Sequence, residues 1–96
     1  MQDNTKEALV SKMESRIEQS RLEIDKLKAK AREAKADARL KLNHEIEALE
    51  KKKIEVETKV KDLKAASDTA WEDLKAGAES AWKALSSSVS QASSRF

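Results

Sequence analysis

From Val10 onward, an apolar or small residue recurs every three or four positions along most of the chain. The seam runs Val10, Met13, Ile17, Ser20, Ile24, Leu27, Ala31, Ala34 and Ala38, with steps of three and four in alternation. This is the heptad rule, which keeps one stripe of a helix turned toward a partner helix. A strand cannot use it, because strand side chains change face at every residue. The sequence has no proline and one glycine, Gly77, so the usual punctuation of sheets and tight turns is missing. The expected fold is all-α with no β structure.

Composition agrees with that pattern. Charged residues make up 40% of the chain, and Trp71, Trp82 and Phe96 are the aromatics. A chain rich in Ala, Glu, Lys, Leu and Arg with helical periodicity belongs with coiled coils and long helices. Its 96 residues make one domain at most, and small domains bury proportionally less surface than large ones.

The first helix has a start signal in Asn4, with Glu7 three residues on in capping-box spacing. After Ala38 the phase slips, and the apolar positions become Leu42, Ile46, Leu49, then past Lys53 to Val56, Val60 and Leu63. Two consecutive steps of four make a stutter, which unwinds a supercoil locally without breaking its helix. The rival reading is a turn near Asn43-His44 that folds residues 5–40 back on 46–66. Neither glycine nor proline marks such a turn, and the continuous helix is the expectation. Acid-to-base pairs at i to i+4 favour it: Asp37 with Lys41, Glu47 with Lys51, Glu55 with Lys59, Glu57 with Lys61. Between Ala29 and Ala38 the seam is alanine alone, which has high helix propensity but little area to bury. This waist suits tight antiparallel packing as well as a weak parallel dimer.

Ser67-Asp68-Thr69 are N-cap residue types, and Thr69 with Glu72 repeats the capping-box spacing. The expected architecture is a long coiled-coil helix over about 5–65, then a shorter amphipathic helix over about 69–90, in a helical hairpin or helical assembly. In domain terms, 1–66 is a charged coiled-coil helix and 67–96 an amphipathic Trp-containing helix with a Ser-rich tail, together one structural unit. On the second helix Trp71, Leu74, Ala78, Trp82, Leu85, Val89, Ala92 and Phe96 fall within a sector of about 80°. The two tryptophans are 11 apart, a spacing that keeps a stripe nearly straight. The last eleven residues hold six serines, mediocre helix formers, and this tail is expected to fray.

Function classes narrow from here. No stretch approaches 18 consecutive apolar residues, so no membrane-spanning helix is expected. The segment MQDNTKEALV lacks the basic and apolar regions of a secretory signal, and cysteine is absent. A cytoplasmic setting is expected, with a peripheral membrane position as the alternative. There is no cysteine nucleophile or glycine-rich phosphate loop, and no enzymatic activity, cofactor or small-molecule substrate is expected. His44, the one histidine, stands beside Glu45 and Glu47, but a metal site needs more such ligands; it reads as an exposed surface residue. Residues 26–41 hold seven basic side chains against two acidic ones. Without interleaved aromatics, this run reads as a solvated helix flank rather than a nucleic-acid surface.

The run from KLKAKAREAKADARLK through IEALEKKK to AASDTAWEDLKAGAESAWKAL resembles a group of small bacterial coiled-coil proteins without an established activity, over roughly residues 20–85. The most specific part is AWEDLKAG…AWKAL. The resemblance implies a helical, bacterial protein and brings no active site with it. The 11-residue Trp-containing repeats also resemble the amphipathic repeats of exchangeable apolipoproteins and granule-coating phasins, in period and face, which implies a lipid surface as a partner.

The expected function is that of a non-enzymatic structural or interaction protein, a homo-oligomer (dimer or higher) assembled through coiled-coil packing. Its self-association seam is Val10, Met13, Ile17, Ile24, Leu27, Ala31, Ala34, Ala38, Leu42, Ile46, Leu49, Val56, Val60 and Leu63. Trp71, Leu74, Ala78, Trp82, Leu85, Val89 and Phe96 form a second face, for packing or for a lipid interface. Peripheral membrane binding through that face is the alternative, and nucleic-acid contact through 26–41 a weaker one.

Overall fold

The computed structural model describes residues 5–96. They form three helices: α1 (Lys6–Glu33), α2 (Ala36–Ala65) and α3 (Trp71–Arg95). Helix accounts for 90% of the structure and no strand occurs among the described residues. An unbroken helix over 5–65 would be about 90 Å long. The longest dimension of the molecule is 51 Å, with 23 and 17 Å across, because the chain doubles back at both turns.

The continuous helix over 5–65 is therefore two helices, and the break falls at Ala34-Lys35. Asn43 and His44 lie inside α2. Ala34 (φ −80°, ψ 154°) and Lys35 (φ −69°, ψ 161°) are both extended. Residues with such high helix propensity leave a helix when packing outweighs propensity, which is worth only tenths of a kcal/mol per residue here. Two features supply the difference. Folding back lets the stripe of α1 cover that of α2, and the alanine waist loses little buried area by being interrupted.

The carbonyls freed at the end of α1 are satisfied from the next helix. The Ala34 N–H donates to the Ala31 carbonyl at 3.2 Å. The Arg39 guanidinium donates to the carbonyls of Ala31 (3.1 Å), Arg32 (3.3 Å) and Ala34 (3.0 Å). This cation does what a C-terminal glycine motif does elsewhere. The second turn repeats the device. Ala66 is extended and its N–H donates to Leu63, while Lys6 Nζ donates to the carbonyls of Ala66 (2.8 Å) and Lys64 (3.2 Å).

At the start of α1, Thr5 is the N-cap, its hydroxyl accepting from the Ala8 N–H at 3.1 Å. The cap expected at Asn4 lies outside the described residues. At the entry to α3, the Ser67 hydroxyl accepts from the Ala70 N–H at 3.2 Å. The Thr69–Glu72 capping box does not form, and α3 starts at Trp71 with no side-chain cap. The serine-rich tail is helical as far as Arg95 rather than frayed. Val89 and Ala92 are buried, Phe96 packs on the core, and Arg95 pairs with Glu45 of α2 at 2.8 Å. This anchoring outweighs the weak helix preference of serine.

One core draws on all three helices. Met13, Ile24 and Leu27 of α1 meet Leu49, Val56 and Leu63 of α2 and Ala78, Leu85 and Ala92 of α3, all essentially excluded from solvent. α2 packs extensively on both neighbours, whereas α1 and α3 share a shorter contact.

Candidate functional site

The seam expected to face another chain is the interior of this one. Val10, Met13, Ile24, Leu27, Ala31, Leu42, Ile46, Leu49, Val56, Val60 and Leu63 are all buried, and Ile17 is half-buried against them. Ala34 is half-buried at the first turn, and Ala38 departs from the set by being exposed at the start of α2. The residue that the pattern passed over is Leu9, which is also buried. Lys53 occupies a seam position and keeps its side chain 15% exposed while Nζ reaches Glu57 at 3.9 Å. Its aliphatic stem lies on the core and its charge at the rim.

The aromatic face of α3 packs inward on the same core. Trp71, Ala78, Leu85 and Val89 are buried, Trp82 and Phe96 are half-buried, and Leu74 is 38% exposed. Arg16 of α1 lies over the Trp82 ring, 5.3 Å from its centroid, and Lys75 lies 6.0 Å from that of Trp71. Cations at these distances favour the ring faces by a fraction of a kcal/mol to about 1 kcal/mol when exposed. An open groove of about 480 Å³ between α1 and α3 runs past Lys12, Trp71, Lys75 and Glu79.

The basic run is folded double by the first turn, so its charges gather at one end of the bundle. Some of them are already engaged: Lys26 with Glu23 at 3.2 Å, Lys28 with Glu50 at 3.8 Å, and Arg39 with the carbonyls at the turn. Of the four i to i+4 pairs read from the sequence, none is among the ion pairs of the described residues. The structure instead pairs Arg21 with both Glu18 and Asp25 on α1, and ties α1 to α2 through Glu14 and Lys64 at 2.6 Å. The Arg21 hydrogen bonds hold the Glu18 carboxyl below its ordinary range, and Glu18 in turn raises Arg21.

His44 is exposed on α2, in an open groove with Glu45, Arg95 and Phe96. Among the described residues no group of three or more His, Cys, Asp or Glu side chains is placed to hold a metal ion. No helix among them is long and apolar enough to cross a membrane. Arg39 and Lys6 are the residues with structural roles that the seam pattern could not reveal. Each is one more cation in a lysine-rich sequence, and its role depends on where the chain turns.

These features define a small antiparallel three-helix bundle with charged outer faces. Comparison with family models, curated proteins and solved structures finds no match to this chain.

Proposed function

We propose that this is a non-enzymatic structural protein that acts through helix packing and self-association. The observation that carries the reading is where the apolar side chains lie: three long stripes pack helix on helix inside the bundle, and Leu22 stays 47% exposed in an open, charged groove along α1. Surfaces of that form complement other helices. Leu40 and Ile54 add to it: 64% and 58% exposed, they stand about four turns apart on the outer side of α2. The resemblance to small bacterial coiled-coil proteins and the cysteine-free composition both fit a bacterial cytoplasmic setting. Sedimentation from micromolar to millimolar concentration tests the reading. A mass that rises with concentration is expected, and a strict monomer throughout would overturn it.

A second reading is favoured by one feature of α3. Leu74 and Trp82 stay partly in solvent on the helix that shares the shorter contact with α1. Release of α3 would present its aromatic stripe to a lipid surface with apolar defects. Liposome flotation with a blue shift of tryptophan emission is the expected sign. Partition unaltered by Trp71→Ser together with Trp82→Ser would rule it out.

A further inference from the structure

We propose that the turn at Ala34-Lys35 is a hinge, and that two copies of the chain exchange α1 through it to form an antiparallel dimer. This rests on the self-association reading and names the contact that would carry it.

The local sequence does little to hold the turn. Two residues, alanine and lysine, are all that separates a helix of 28 residues from one of 30. Neither has a positive φ, and both are among the better helix formers. The turn is held by tertiary features, namely the Arg39 contacts and the packing of α1 on α2.

The second observation concerns phase. Met13 and Leu49, Ile24 and Val60, and Leu27 and Leu63 each differ by 36 in number, which is about ten whole turns. If Ala34 and Lys35 joined the helix, the buried faces of α1 and α2 would therefore lie on the same side of one long rod. Every buried position of the two helices then falls within about 100° of arc. The stutter produces this match: against a strict heptad it is a slip, but it brings the mean spacing to that of a straight helix. Ala38, exposed in the closed chain, would fall inside the joined stripe.

The third observation is register. The two ion pairs between α1 and α2, Glu14 with Lys64 and Lys28 with Glu50, are both centred on position 39, one residue past the alanine waist. Two straightened chains laid antiparallel about that point would form both pairs again, now between chains. α1 of one copy would lie on α2 and α3 of the other, giving a two-fold contact in which each chain offers the same surface. The exchange gives up the turn and its Arg39 contacts. It gains helical hydrogen bonds through the waist and a close approach of small residues across the axis. The closed chain has no association entropy to overcome, so it prevails when dilute and the dimer grows with concentration.

Lys35→Pro separates the two forms. Proline fixes φ near the −69° of Lys35 and favours extended backbone before it, as at Ala34 (ψ 154°). No turn hydrogen bond among the described residues uses the Lys35 N–H. In the middle of a joined helix the same proline is strongly excluded. Native mass and small-angle scattering should give the unaltered chain as a dimer about 90 Å long at high concentration. The Lys35→Pro chain should stay monomeric with unaltered helicity, its dimer affinity lowered at least about a hundredfold. Zero-length carbodiimide cross-linking of mixed heavy- and light-isotope chains should join Glu14 of one copy to Lys64 of another. A Lys35→Pro chain that dimerises as well as the original, or cross-links confined to single chains in a true dimer, would overturn the exchange and leave self-association standing. An unaltered chain monomeric at every concentration would overturn both.

Discussion

Leu63 and Leu40 are the same side chain on the same helix, yet one is fully enclosed and the other 64% exposed. Leu63→Ala leaves a cavity among side chains from all three helices and is expected to cost about 2–5 kcal/mol. Leu40→Ala is expected to stay within about 0.5 kcal/mol, both read from denaturant midpoints. The seam made this contrast legible in advance: Leu63 sits in the alternation of three and four and Leu40 does not. Gly77 offers a gain instead. It lies inside α3 with nothing within 4 Å of where a Cβ would stand. Gly77→Ala is therefore expected to stabilise the chain by about 0.5–1 kcal/mol, through a less free unfolded state and a better helix former. Glu18 carries the clearest pH signature. Its carboxyl is pulled down by the Arg21 hydrogen bonds, so its contribution is present above the unfolded carboxyl range and disappears as pH falls through the lowered folded value. Carboxyl NMR titration should find Glu18 ionising below the ordinary glutamate range, with Arg21→Ala returning it to that range.

At the scale of elements, the period identified the stripes on the helices, including the inward face of α3, with Leu74 at its exposed edge. The first turn was not. Ala34-Lys35 carries no breaker, and its position is decided by where two stripes can cover each other and where Arg39 can reach three carbonyls. None of that is local, so the phase slip was visible as a stutter while the fold-back was not. The serine-rich tail is helical for a related, non-local reason: anchoring by Phe96 and Arg95 overrides serine propensity. Arg39→Ala should lower stability by about 1 kcal/mol, with hydrogen exchange rising first at the last turn of α1. Exchange that rises uniformly instead would mean the guanidinium contributes little to holding the turn.

For the whole molecule, the radius of gyration is 15.4 Å, against about 12.5 Å for a typical compact domain of this length. The bundle is a short rod, wide enough for one layer of core along its axis. Its candidate surface was legible only in part. The sequence identified which residues are apolar and in what phase, while whether they meet a second chain or their own depended on the turn.

The brevity of the two turns also bears on how fast the fold is reached. Each helix packs on one that is its neighbour in sequence, so most native contacts close short loops. No proline isomerisation or disulfide exchange stands in the way. Refolding of the dilute chain should be a single exponential in the microsecond-to-millisecond range with no slow phase. A slower phase whose amplitude grows with protein concentration would mark a bimolecular step in stopped-flow traces.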